Sequence, residues 1–148
     1  MKPLVLRPGE GESVELFGNR LELKAGADET GGGLCLVDYT AGPGFAGPPP
    51  HRHHHTFDMF FVLEGELTMR LEDETATAPA GSFVLVPPGV VHTFSNPGAE
   101  PVRYLSLMSP GGFERYFLEL REALGEGPPD PAVMAELMSK YDVELVEH

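Results

Sequence analysis

A chain of 148 residues, 41% hydrophobic and 22% charged, has the bulk for one well-packed domain and not for two. Its formal net charge of −13 repels phosphate backbones and anionic bilayers, so no nucleic-acid or membrane partner is expected. No apolar run approaches the ~18–20 residues that span a bilayer, the first residues lack a secretion-type apolar stretch, and the single cysteine permits no internal disulfide, so a cytoplasmic protein is expected.

The 18 glycines and 15 prolines fall between short apolar runs, as turn punctuation in an all-β protein. Val14 to Phe17 and Leu21 to Lys24 alternate as strands, and Leu34 to Tyr39 follows a flexible Gly31-Gly32-Gly33. Cys35, inside Leu34-Cys35-Leu36-Val37, reads as a buried small hydrophobe rather than a reactive thiol. A Gly/Pro loop from Gly42 to Pro50 ends where histidines begin. Asp58 to Leu63 is a strongly apolar strand, and Glu64-Gly65-Glu66 predicts a tight turn into Leu67 to Leu71 as the return half of a hairpin. Thr75 to Ala78 is a weak, edge-like strand. Ser82 to Val86, Val90 to Ser95 and Val102 to Met108 complete the set, at the roughly 8–12-residue spacing of a sandwich or barrel.

After Ser109 the period changes. Phe113, Tyr116, Phe117, Leu120 and Leu124 recur at helical spacing, and Gly125 to Pro129 breaks that helix. Asp130 and Pro131 open a second helix through Val133, Met134, Leu137 and Met138, and Val143 to Val146 adds a short strand. Residues 1–108 therefore form the barrel, with a motif core at 34–108, and residues 109–148 a helical extension packed on it.

Chemistry concentrates in two segments. In His51-Arg52-His53 an extended backbone puts both imidazoles on one face, and His92, forty residues on, would bring a third ring from a neighbouring strand. Three ring nitrogens suit a first-row transition ion. Asp58 differs in parity from His51, so a turn over His54 to Phe57 must aim it inward. His54 and His55 read as exposed loop residues, although either could stand in as a ligand. If His92 and Asp58 face inward, Phe94, Phe60 and Val62 share their faces and line an apolar pocket. Of the last strand, either Tyr104, Ser106 and Met108 or Arg103, Leu105 and Leu107 face the interior.

The spacings themselves are specific. His51-x-His53, four residues, Asp58, six residues and Gly65, then Gly81-x5-Pro87-x-Gly89-x2-His92-x3-Asn96, resemble the two motifs of the cupin superfamily, which has glutamate where Asp58 stands. The resemblance implies a double-stranded β-helix (jelly-roll) barrel holding one divalent transition metal (Fe, Mn, Ni, Co, Cu or Zn) through His51, His53, Asp58 and His92. Asp58 is about 1.5 Å shorter in reach than glutamate. It therefore coordinates after a backbone shift, acts through water, or leaves a three-histidine site, in which case it is the nearest candidate catalytic base. Gly65 and Gly89 would supply special backbone conformations, and Asn96 is expected to tie down a turn. The stretch from Pro48 to Gly65 and the tail after Ser109 resemble bacterial proteins related to quercetin 2,3-dioxygenase. That implies oxygen-dependent cleavage of a small aromatic or enolic substrate, with a non-catalytic metal- and ligand-binding protein or a sugar isomerase as alternatives. Homodimers are also implied by the resemblance.

Overall fold

The computed structural model describes residues 1–125, 127 and 130–146. Two antiparallel sheets face each other as a jelly roll. The first runs in the order β1 (Glu12–Leu16), β2 (Asn19–Ala25), β3 (Cys35–Ala41), β10 (Val102–Ser109), β5 (Phe57–Glu64) and β8 (Phe83–Val86). The second runs β11 (Glu144–Leu145), β4 (His51–Arg52), β9 (His92–Ser95), β6 (Glu66–Leu71) and β7 (Glu74–Pro79). The core lies between them, built from Val14, Leu21, Val37, Phe60, Val62 and Tyr104 on one side and Leu67 and Met69 on the other.

Strand alternation decides what the sequence left open on β10. Val102, Tyr104, Ser106 and Met108 are buried, and Arg103, Leu105 and Leu107 lie on the outer face. β7 is an edge strand, as its weak apolar content implied.

The expected hairpin at Glu64-Gly65-Glu66 is not one. β5 pairs with β10 and β8, whereas β6 pairs with β7 and β9, so the chain turns a corner from one sheet to the other. Gly65 makes the corner possible: its φ is 79°, and a Cβ there would meet Pro101 O at 2.7 Å. The true hairpin is β6–β7, closed by Glu72-Asp73 with Leu71 opposite Glu74. Phe17 likewise leaves its strand, standing with Gly18 in the two-residue turn between β1 and β2. A single helical turn, α1 (Ala27–Thr30), precedes the glycine run and carries no apolar pattern that would announce it.

The extension follows its periodicity. α2 (Phe113–Leu124) lays its apolar face against β1 and β3, and α3 (Pro131–Lys140) packs on α2. Asp130 caps α3 by accepting the Ala132 N–H at 2.9 Å. The helix breaker at Glu126, Pro128 and Pro129 lies outside the described residues. β11 then pairs with β4, Leu145 opposite His51, which ties the end of the extension to the strand that bears the first histidine. No described helix is long and apolar enough to cross a membrane.

Candidate metal centre

β4 and β9 are neighbours in register, with His51 directly opposite His92. His53, two residues beyond His51, turns to the same side by alternation. All three rings are buried, with centroids 4.4 Å apart for His51–His92, 5.1 Å for His51–His53 and 5.3 Å for His53–His92. One nitrogen from each lies within 4.8 Å of the other two.

The rings' other nitrogens are committed elsewhere. Nδ1 of His51 donates to Pro49 O at 2.9 Å, that of His92 to Val90 O at 3.0 Å, and that of His53 to Asp142 O at 2.8 Å. A carbonyl only accepts, so each Nδ1 carries the proton and each Nε2 lone pair points into the centre. His53 Nε2 is buried with no hydrogen-bond partner. Asp58 Oδ2 stands 3.1 Å from His92 Nε2 and 3.6 Å from His53 Nε2. A ring lone pair and a carboxylate lone pair at 3.1 Å repel unless a cation, proton or metal, is shared between them. The donor set therefore fits a divalent transition ion.

Asp58, one methylene shorter than the motif's glutamate, stands beside this group of three, with Oδ2 near the spacing that two donors on one ion would have from His92 Nε2 and His53 Nε2. The bend that turns it inward runs over His54 to Thr56, as its parity required. His54 and His55 point outward, His54 toward Glu144, and neither replaces a ligand.

Burial alone would raise the Asp58 carboxyl, but the adjoining His53 and His92 rings, when a proton is shared with Oδ2, favour the carboxylate more than burial disfavours it and hold it below the ordinary carboxylate range. Burial, with repulsion from His92, pushes His51 down to about 4, so this ring is neutral at physiological pH. For His53 burial is again the largest influence and lowers it, yet the Asp58 carboxylate and the Asp142 carbonyl bring it above its usual value. Cys35 is buried, and loss of solvation lifts its thiol to about 12, an inert residue as read from sequence.

A cavity of about 540 Å³ opens from the cluster. Phe60 and Phe94 line it as alternation predicted, 5.3 Å apart by ring centroid, and Tyr104 and Ser106 join them. Val62 shares the face of Phe60 but lies deeper, packed in the core, and does not reach the wall. Asn96 is structural: its Nδ2 donates to Ala41 O, Gly42 O and Glu100 O, and its Oδ1 accepts the Gly98 N–H. Sequence reasoning missed that α2, α3 and β11 form much of the cavity wall, through Phe113, Tyr116, Phe117, Met134, Met138 and Leu145. The surplus of apolar residues on both helices was the available signal. Phe113 stands edge-on to the His53 ring at 5.8 Å.

A family model described as Cupin domain matches residues 37–108. Quercetin 2,3-dioxygenase of Bacillus subtilis is 29% identical over 118 residues, which cover 80% of this chain and 34% of that protein. The chain thus spans about a third of that relative's length. Among solved structures, KdgF from Halomonas superposes with a TM-score of 0.66 at 17% identity, covering 77% of this chain and 99% of that one. A Cupin 2 conserved barrel domain protein from Salinispora arenicola superposes at 0.59 and 15% identity, covering 94% and 99%.

Proposed function

Because the chain belongs to the cupin superfamily, we propose that it is a metal-dependent, dioxygenase-like enzyme acting on a small aromatic or enolic substrate. The observation that carries this reading is the convergence of three Nε2 lone pairs on one end of an aromatic-walled cavity. A divalent transition ion held by His51, His53 and His92 supplies a Lewis-acidic and redox-capable centre.

The remaining work falls to the protein's own groups. Asp58 Oδ2, kept ionised at neutral pH by its imidazole neighbours, is the acceptor nearest the cluster for a substrate hydroxyl proton. Phe60, Phe94 and Tyr104 offer ring faces and edges to a planar substrate, and the apolar faces of α2 and α3 exclude water from the chamber. Among the described residues the cavity walls carry no Lys or Arg, which counts against the sugar-isomerase alternative. The non-catalytic alternative draws on the shortened carboxylate, an aspartate where the motif has glutamate.

A homodimer is part of the proposal. The outer face of the first sheet exposes Phe57, Phe61, Phe83 and Leu85, with Phe61 opposite Phe83 and Leu105, and Met59 opposite Leu85 and Leu107. That is a contiguous apolar patch of the kind that marks an interface. Beside it Arg20, Glu22, Lys24, Asp38 and Arg103 pair among themselves, so this face is nearly neutral in a chain of net charge −13. Two copies can meet there without strong repulsion.

The test is elemental analysis of protein purified without nickel resin, followed by an oxygen-electrode screen of flavonols, catechols and enediols. Oxygen uptake with one of them, abolished by His92→Ala, is expected. Bound metal with no turnover across the panel would favour the binding protein, and no metal at all would overturn both readings.

A further inference from the structure

The extension is tied to the metal-ligand cluster as well as roofing it. His51 and His92 each anchor Nδ1 on a carbonyl two residues upstream, just ahead of their own strands. His53 instead donates across 89 positions of sequence, to Asp142 O at 2.8 Å. Asp142 has φ 62°, a left-handed conformation uncommon outside glycine but tolerated by Asp and Asn. With its carbonyl aimed at the His53 ring, its carboxylate folds back over the next three residues. Oδ1 accepts the His54 N–H at 2.8 Å, and Oδ2 accepts the His55 N–H at 2.8 Å and the Thr56 hydroxyl at 2.9 Å. A single residue therefore holds both the imidazole of His53 and the bend that leads from it to Asp58. The residues around Asp142 are fastened on both sides: Val143 N–H donates to Met138 O, Val146 N–H to Pro50 O, and Glu144 pairs with Arg52.

We infer that Asp142 is a positioning residue for the metal centre, so that seating of the helical extension and alignment of His53 are one event. The inference rests on the metal-binding reading above. Its physical basis is that a neutral imidazole divides its proton between two nitrogens and turns freely about its side-chain bonds. A fixed acceptor on Nδ1 selects the tautomer with Nε2 free and fixes the ring plane, and such partners of metal-binding histidines typically contribute about 10–100-fold in affinity. Because α2 and α3 also wall the cavity, the segment that shapes the substrate chamber is the one that holds the third ligand ready.

The experiment is titration of the full chain with Co(II) alone, following the d–d absorption, for wild type and four variants. Asp142→Gly accepts φ 62° and removes the carboxylate. Asp142→Asn keeps that conformation and one acceptor oxygen while removing the charge. Thr56→Val removes one of the three bonds to the bend and provides the comparison should Asp142→Gly fail to fold. Lys140→Ala cuts the tie from α3 to Glu119 on α2 without touching the bend. The expected result is a 10–100-fold loss of Co(II) affinity in Asp142→Gly with an altered d–d spectrum, a several-fold loss in Thr56→Val, a loss between those two in Asp142→Asn, whose amide nitrogen faces a backbone donor, and no change in Lys140→Ala. Wild-type affinity in both Asp142→Gly and Thr56→Val would overturn the inference alone. So would an equal loss in Lys140→Ala. A wild-type chain that takes no Co(II) would overturn the metal-binding reading, and this inference with it.

Discussion

Replacing the buried carboxylate at the centre, Asp58→Asn, tests the electrostatics of the metal-free protein. Asp58 Oδ2 lies 3.1 Å from His92 Nε2 and 3.6 Å from His53 Nε2, among fully buried side chains. Unit charges on Asp58 and His53, 3.6 Å apart, attract by about 5 kcal/mol at an effective dielectric of 20. Removing one partner of such a pair typically costs about 3–5 kcal/mol, much of it the hydration lost by the ion left behind. The cost must depend on pH. Asp58 is held below its unfolded value, so its contribution is in place above about pH 4 and is lost as pH falls through the folded value. His53 is held above its unfolded value, so its contribution is in place below about pH 6.5 and is lost as pH rises through the folded value. Both hold together between about pH 4 and 6.5. His51, pushed to about 4, works in the opposite sense over that range, destabilising wild type and variant alike, so it largely cancels in the difference. Where the rings are neutral, the Asn amide can donate to an Nε2 lone pair, and the cost should shrink to about 1 kcal/mol. At about 3 °C per kcal/mol for a chain of this size, Asp58→Asn should lower Tm by roughly 10–15 °C at pH 5 and about 3 °C at pH 8. Thermal unfolding of chelator-treated wild type and variant at the two pH values gives the comparison. An equal loss at both, or a larger one at pH 8, would refute the reasoning.

Asn96→Ala leaves three carbonyls and one N–H without their partner, so it should cost about 2–3 kcal/mol and roughly 6–9 °C in Tm while metal stoichiometry stays intact. Lost stoichiometry in the folded variant would make Asn96 a ligand instead. Phe61→Glu places a charge in the middle of the apolar outer face and should convert a dimer into a monomer by light scattering; an unchanged mass would exclude this face as the interface. Cys35, 1% exposed and with its thiol at about 12, should ignore a thiol-specific dye until the protein is denatured, and rapid labelling of the native state would contradict its burial.

What the sequence disclosed follows from how local each signal is. The strands and the inward faces of β5 and β9 were legible because period-2 alternation is a property of a few adjacent residues, and the histidine spacing needed nothing more. Glu64-Gly65-Glu66 misled because a tight hairpin and a corner between sheets use the same residues; only the strand partners of β5 and β6 tell them apart. α2 and α3 were found by periodicity, but not that their apolar faces would wall the chamber, since that depends on where the extension docks. Asp142 was invisible. A non-glycine residue in the left-handed region leaves no mark in the sequence, and its partners at His53 to Thr56 lie almost ninety residues away.

The central claim is that His51, His53 and His92 grip one ion through Nε2. Diffraction data collected at the zinc edge from crystals soaked in a zinc salt test it directly. The account predicts one anomalous peak bonded to the three Nε2 atoms at about 2.0–2.1 Å, with each Nδ1 still on its carbonyl. A featureless map between the three rings, or zinc bound only at surface residues such as His54, His55 and Glu144, would contradict it.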